Sequence, residues 1–472
     1  MNEALWSESE LTRVLGPPSA PLAAPVAGVS IDTRTLQPGD LFVAIRGDVH
    51  DGHDHVARAF EAEAAAAVIA RPRGGDLAAH EPTFAVVDTL RALEALGRAA
   101  RARTAARIVA VTGSVGKTSA KEMLRVALAK SGSTHASVAS YNNHWGVPLT
   151  LARMPAATAF GVMEIGMNHA GEITPLVAMA RPHVALVTTI AQVHIEHLGS
   201  IEAIADAKAE IFSAFEPDAT AVLNRDAPQF ARLERAAKAR GAQVLSFGAE
   251  MGCDARLVEA RDEAGGSRVR AHVLGRDLLF SLGAPGVHMA QNALGALLAA
   301  AALGADLEVS AAALADFAPQ KGRGERFTLN SATGPFTVID ESYNANPASM
   351  RAALALLGAA RPAQGGRRIA VIGDMLELGA DGAAMHAALA ETLGVNGVDL
   401  LFGAGPLTRA LYDAAPASIR AGWAERSRDI QDELANALRG GDVVMIKGSN
   451  GSRMGPVVAA LRERFSSAQA RQ

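Results

Sequence analysis

The sequence predicts an α/β protein of three domains: a small α/β N-terminal domain, a central domain built on a parallel sheet, and a C-terminal Rossmann-like α/β domain. Three observations carry this expectation. Short apolar runs recur along the chain with helical patterns between them, as in strands joined by crossover helices. The 472 residues accommodate about three domains at roughly 150 residues each. One apolar run leads straight into a glycine-rich turn and a helix, the arrangement of a phosphate-binding loop.

The first domain is expected over residues 1–103. Its strand candidates are Val29–Ile31, Leu41–Ile45, Ala66–Ile69 and Phe84–Val87, with Pro, Gly and Asp between them, followed by an Ala/Arg-rich helix from Leu90. The second domain, residues 104–320, opens with Ile108–Val111, a buried parallel strand by pattern. The amphipathic segment Lys117–Lys130 follows, then apolar runs at Phe160–Ile165, Val184–Ile190 and Ala221–Leu223. The third domain, residues 321–472, offers strands at Phe336–Ile339, Ile369–Ile372, Leu400–Phe402 and Val443–Ile446. The uncharged run Leu278–Ala305 is long enough to raise the question of a membrane span. Gly283, Pro285 and Gly286 interrupt it and His288, Gln291 and Asn292 sit inside it, so it reads as a strand end, a turn and a buried Ala-rich helix.

Composition narrows the function classes. Forty-five basic residues against 49 acidic give a formal net charge of −4, which argues against a chain that coats nucleic acid or an anionic membrane. The single cysteine, Cys253, excludes an internal disulfide framework and a multi-cysteine zinc site. The N-terminal MNEALWSESELTRVLG lacks the basic and apolar regions of a signal peptide. A cytoplasmic, monomeric enzyme is expected. Cys253 lies outside every motif, so activity should survive Cys253→Ser.

The segment Ile108–Leu124 carries the most chemistry. Its strand runs into Gly113-Ser114-Val115-Gly116-Lys117-Thr118-Ser119, where a helix begins. Glycines let backbone N–H groups approach phosphate oxygens, and the helix N-terminus adds partial positive charge. Lys117 can reach the β- and γ-phosphates, and the Thr118 hydroxyl can ligate Mg²⁺. Only Ser114 and Val115 separate Gly113 from Gly116, whereas the standard loop has four residues before its Gly-Lys pair.

This shortened loop resembles the ATP loop of the Mur ligase superfamily, whose members join amino acids to UDP-N-acetylmuramic acid in peptidoglycan synthesis. Asp340-Glu341-Ser342-Tyr343-Asn344-Ala345-Asn346-Pro347-Ala348-Ser349-Met350 is similar to the signature of the branch that adds D-alanyl-D-alanine to UDP-N-acetylmuramoyl-tripeptide. So are Gly373-Asp374-Met375-Leu376-Glu377-Leu378-Gly379 and the stretch Tyr141-Asn142-Asn143-His144-Trp145-Gly146-Val147-Pro148-Leu149. The Asp-Asn-Pro-Arg motif of the diaminoacid-adding relative is absent.

The resemblance implies roles residue by residue. Thr118, Glu164 and His194 match metal-site positions for Mg²⁺, with Glu164 at the C-terminal edge of a strand, where ligands of open α/β sheets bind. Lys208 matches a lysine that CO₂ carbamoylates, which turns a cation into an anion able to bind Mg²⁺. Asn292 would bond adenine and His288 lie near its ring. Arg323, in the Gly-rich connector Lys321–Arg326, would swing onto the γ-phosphate, with Arg326 as the alternative. Glu341 stands where many relatives have aspartate and would adjoin the nucleotide. Lys447-Gly448-Ser449-Asn450 also matches the superfamily, without an assigned role. Ser30, Asp32, Thr33 and Arg34 resemble a UDP-binding segment, in which Arg34 can meet diphosphate. Asn142 and Asn143 would face the muramoyl-peptide, and Tyr343, Asn344 and Asn346 would position the dipeptide or the nucleotide.

The implied reaction is ATP-dependent amide formation through an acyl phosphate, with Lys117, Lys208 and His194 as its catalytic set. The partners are UDP-N-acetylmuramoyl-tripeptide and D-alanyl-D-alanine. The sequence leaves open whether the tripeptide ends in diaminopimelate or lysine. The nearest alternative is a ligase of the same superfamily adding a single amino acid or glutamate. A hydrolysis-driven switch would call for a full-length loop and a strand-borne aspartate. A non-catalytic nucleotide-sugar binder would have no need of Lys117, Thr118, Glu164 and Lys208.

Overall fold

Three sheets organise the chain in a computed structural model that describes residues 4–47, 50–71, 81–193, 195–263 and 265–466. The first sheet has four parallel strands in chain order: Gly28–Ser30, Asp40–Val43, Ala66–Ala70 and Thr83–Val86. Helix Thr89–Ala102 covers it, started by Asp88, whose side chain accepts the Arg91 N–H. The same helix lies against helix Gly146–Ala152 of the next domain. A Cβ on Gly97 would come within 3.0 Å of the Pro148 carbonyl, so a larger residue would push the two helices apart by a few tenths of an ångström. Trp6 fastens the junction by donating Nε1–H to the Ala152 carbonyl at 2.9 Å, with the Arg103 guanidinium 3.7 Å above its ring.

The central sheet has nine strands. Strand Arg107–Thr112 lies in its interior between Val184–Val187 and Phe160–Glu164, all parallel. Its alternation separates two layers: Val109 and Val111 pack with Met123, Leu124 and Leu294, and Ile108 and Ala110 pack with Val147, Ile173 and Val177. Burial on both faces explains the unbroken apolar run in the sequence. The sheet is parallel through Gln243–Gly248 and Ala255–Glu263, then ends in an antiparallel ribbon of Gly266–Val273 and Arg276–Leu282. That ribbon adds an antiparallel edge to the parallel sheet expected from the sequence. Its sequence alternates charged and apolar residues because one face meets solvent.

The Leu278–Ala305 run resolves as expected into a strand end, a turn and the buried helix Val287–Ala302. Among the described residues no helix is long and apolar enough to cross a membrane. The third sheet has six strands. Glu325–Ser331 pairs antiparallel with Gly334–Glu341, and Val443–Lys447, Arg368–Gly373, Leu400–Ala404 and Arg420–Ala424 continue it in parallel. Helix Pro347–Ala359 follows the second of these strands, with Asn346 and Ser349 closing a reciprocal cap at its start.

Candidate active site

The central strand order brings three C-terminal ends side by side: Thr112 before the glycine-rich loop, Glu164, and Val187 before Thr188. Such an edge is where open α/β sheets bind ligands. The loop's backbone explains its glycines. Gly113 has φ +144° and lies so close to Thr188 that a side chain would collide with its hydroxyl. Gly116 has φ +89°, and a Cβ there would come within 2.7 Å of the Asn292 side-chain oxygen. Thr188 Oγ1 donates to the Val115 carbonyl and Ser114 N donates to the Thr189 carbonyl at 2.6 Å, so the loop is fixed from the neighbouring strand.

Helix Lys117–Ala129 begins where the loop ends. Lys117 Nζ donates to the Gly113 carbonyl at 2.7 Å and so lies along the loop. Burial lowers its pKa, nearby Arg323 lowers it further, and Glu164 opposes both. Thr118 Oγ1 donates to Glu164 Oε1 at 3.1 Å, and Asn142 Nδ2 donates to the same oxygen at 2.8 Å. The other carboxylate oxygen, Glu164 Oε2, is buried with no hydrogen-bond partner among the described residues. A fully buried carboxylate with one free oxygen beside a threonine hydroxyl is a hard-oxygen set, which fits Mg²⁺.

A cleft of about 450 Å³ joins this edge to the third domain. Of the residues expected at the site it brings together Ser114, Val115, Gly116, Lys117, Thr118, Ser119, Asn142, Glu164, His288, Asn292, Arg323, Glu341, Tyr343, Asn344 and Asn346. Gly113 sits buried behind them. Arg323 Nη2 donates to Ser140 Oγ at 3.0 Å, and its guanidinium stacks 3.9 Å from the Tyr343 ring centroid. Ser140 Oγ in turn lies 3.4 Å from Thr118 Oγ1, so the connector arginine already reaches the loop. Arg326, exposed on strand Glu325–Ser331, does not line the cleft; Asp262 and the cleft residue Glu341 are its charged neighbours. Of the two arginines that the sequence left as alternatives, Arg323 is the one that lines the cleft. Burial holds His288 below the usual histidine pKa, with Lys447 acting in the same direction.

His194 falls outside the described residues. Lys208, in helix Ile201–Ala209, is buried, and burial together with Lys117 pushes its pKa well down. Asn143 spends its side-chain oxygen on the Gly146 N–H and does not line the cleft. Asp32 and Arg34 pair with each other at 2.6 Å in an exposed turn after the first strand, while Ser30 Oγ turns back onto the Asp32 carbonyl. Ser30, Asp32, Thr33 and Arg34 do not line the cleft. Beside them a second cavity of about 590 Å³ is lined by Gly28, Val29, Thr35, Asp40, Tyr141 and Arg153, among others. Cys253 is buried away from both cavities, and burial pushes its thiol up to about 11.

The structure also adds residues. Lys447, left without a role by the sequence, donates to Glu341 Oε2 at 3.1 Å and to the Asn344 carbonyl at 3.0 Å, fixing the cleft's far wall. Ser449 donates to the Ala345 carbonyl and accepts the Leu376 N–H, which ties together the three signature loops of the third domain. Ser140 had no motif to announce it.

Comparison with known proteins agrees with this geometry. The Mur ligase family, catalytic domain, matches residues 25–104; the Mur ligase middle domain matches 111–300; and the Mur ligase, glutamate ligase domain, matches 325–450. The chain is 34% identical over 459 residues to the UDP-N-acetylmuramoyl-tripeptide–D-alanyl-D-alanine ligase of Escherichia coli (strain K12), covering 96% of this chain and 98% of that one. It is 30% identical over 433 residues to the protein of the same name from Rickettsia prowazekii, covering 91% and 94%. A crystal structure of MurF from Acinetobacter baumannii superposes with a TM-score of 0.83 at 28% identity, covering 97% of this chain and 99% of that chain. The MurF ligase of Thermotoga maritima, solved in complex with ADP, shares the fold with a TM-score of 0.76 at 24% identity, covering 93% and 98%.

Proposed function

The chain belongs to the Mur ligase family, and from that premise we propose that it is the ATP-dependent ligase joining D-alanyl-D-alanine to UDP-N-acetylmuramoyl-tripeptide. The observation that carries the reading is the cleft. It sets a phosphate loop and a half-satisfied carboxylate on one wall against the Tyr343–Asn346 segment on the other. Relatives bearing that enzyme's name align over nearly the whole chain.

A carboxylate and an amine do not condense readily in water, so the acid must be activated. The terminal carboxylate of the tripeptide attacks the γ-phosphorus of ATP; the bond to the β–γ bridging oxygen breaks, and ADP leaves. The dipeptide amine then attacks the acyl carbon, loses a proton, and inorganic phosphate departs as the amide forms. The loop N–H groups and Lys117 stabilise charge on the transferring phosphoryl group. Arg323, bonded to Ser140 beside the loop, adds positive charge from the opposite wall. Thr118 and Glu164 would hold Mg²⁺, with His194 by resemblance, and the ion neutralises phosphate charge when bound. Lys208 would join them as a carbamate. Asn292, packed against Gly116, would read adenine beside His288, and Glu341 with Lys447 would border the nucleotide. Asn142 keeps Glu164 oriented, and Tyr343, Asn344 and Asn346 would position the dipeptide. Closure of the third domain onto the second would exclude water that otherwise hydrolyses the acyl phosphate.

The domains divide the work in this reading. Residues 1–103, through Ser30, Asp32, Thr33 and Arg34, capture the nucleotide-sugar; 104–320 hold ATP and metal; 321–472 bring the acceptor. Purified protein supplied with ATP, Mg²⁺ and both substrates should release ADP in step with the pentapeptide product. Equal ADP release without D-alanyl-D-alanine, or equal use of glutamate or a single amino acid, would refute the assignment.

A further inference from the structure

Lys121 is a buried charge that the proposed mechanism does not use. It stands on the phosphate-loop helix one turn after Lys117 and is fully enclosed. Its three ammonium donors are all engaged. Nζ donates to the Ser137 carbonyl at 2.8 Å and to the Ala139 carbonyl at 2.7 Å, and contacts Glu122 Oε1 at 2.8 Å. Two of those bonds leave the helix and grip the loop after strand Thr134–Ala136.

That loop carries much of the site. Ser137 Oγ accepts the backbone N–H of Glu164. Ser140 meets both Thr118 and Arg323, and Asn142 bonds Glu164 Oε1. Ala139 holds φ +49°, a left-handed conformation that side chains other than glycine seldom adopt and that a surrounding restraint must maintain. Lys121 supplies a restraint at that residue's own carbonyl.

We infer that Lys121 is a positioning residue: it locks the 137–142 loop to the phosphate-loop helix and so fixes the Thr118–Glu164–Asn142 constellation and the Ser140 contact for Arg323. It does not line the cleft. The inference takes the metal-dependent nucleotide site from the proposed function, but its test needs no peptide substrate, so the two can fail separately.

The test compares Lys121→Met with wild-type full-length protein, by Mg²⁺-dependent ADP binding and by hydrogen exchange. Methionine keeps the aliphatic stem and removes the donors. The Mg²⁺ concentration that half-saturates ADP binding should rise about tenfold or more, the scale for losing support behind a metal ligand. The amides of Ser137 and Tyr141, bonded to the Val162 and Val138 carbonyls, should exchange faster. Glu122→Gln, which spares the bonds to the loop, should leave both readouts near wild type. A folded Lys121→Met protein with unchanged Mg²⁺ dependence and exchange would overturn the inference, and so would a Glu122→Gln effect of equal size. If Lys121→Met does not fold, the wild-type protein decides. Its Ser137 and Tyr141 amides should be protected to the level of the phosphate-loop helix, and exchange at the rate of an open surface loop would refute the lock.

Discussion

Lys117→Ala should lower kcat/KM for ATP-driven ligation by about a thousandfold or more, the scale of removing a placed charge from a developing phosphoryl transition state. That corresponds to about 4 kcal/mol of transition-state stabilisation. Lys117 is laid along the loop by its bond to the Gly113 carbonyl, so its ammonium is set in place before nucleotide arrives. Burial and Arg323 disfavour its charged form, while Glu164 favours it. Phosphate oxygens would tip that balance toward the charge, which is why the lysine should matter more in the transition state than in the free protein. The fold should tolerate the change, because alanine suits the first turn of a helix and the lysine's one hydrogen bond is local. Lys117→Arg should not restore activity: a planar fork cannot follow the path of a single ammonium along this loop. Steady-state ADP release, with the melting transition as a control on folding, measures both claims. A variant retaining a tenth of wild-type kcat/KM, on the order of 1 kcal/mol lost, would remove Lys117 from the proposed chemistry.

Much of the framework was legible because burial on two faces writes itself as continuous apolar runs. Ile108–Val111, Phe160–Ile165 and Val443–Ile446 each became interior parallel strands with ends within a residue or so of those expected. Val184–Ile190 was read too long, because Thr188 and Thr189, just beyond Val187, turn in to support the glycine-rich loop. The antiparallel ribbon Ala255–Leu282 was not read as strands at its start. In ARLVEARDE the alternation is broken by exposed Val258 at a register shift after Leu257, and its charges resemble a solvated helix. The edge strand Thr134–Ala136 is too short to signal itself.

The site divides along a similar line. Residues in spaced motifs, from Gly113 to Ser119 and from Glu341 to Asn346, could be found because their order along the chain is itself the geometry. Ser140 and Lys121 could not. They act through backbone carbonyls and through residues that the fold brings near, and nothing in their local sequence distinguishes them from a loop serine and a helix lysine. Asn143 shows the converse. It sits inside a recognisable motif, yet its side chain is used to turn the backbone into helix Gly146–Ala152.

Lys208→Ala should reduce ligation by about a hundredfold or more, on the scale of losing one placed group that stabilises transition-state charge, and a small carboxylic acid should restore part of it. A lysine bound for the surface would keep its charge in water. Lys208 is instead buried, and burial joins with Lys117 to push its pKa well down, so the neutral amine is the favoured form over a wider range of pH. A neutral amine can attack CO₂, forming an N–C bond and releasing a proton, which leaves a carbamate anion where a cation stood. The sign matters. The cationic form would repel both Lys117 and Mg²⁺, whereas the carbamate would attract both. Three measurements follow from one chemistry. Wild-type activity should fall in CO₂-depleted buffer and return on adding bicarbonate. It should fall again in acid, where the amine is protonated and the carbamate cannot persist. Lys208→Ala should ignore bicarbonate but respond to formate or acetate, which can place a carboxylate in the vacated space. A merely structural lysine would show none of these dependences: its alanine variant would lose stability, and no added anion would repair the rate. Full activity in the unrescued variant would end the carbamate reading while leaving the ligase assignment intact, since that assignment rests on the cleft and the family.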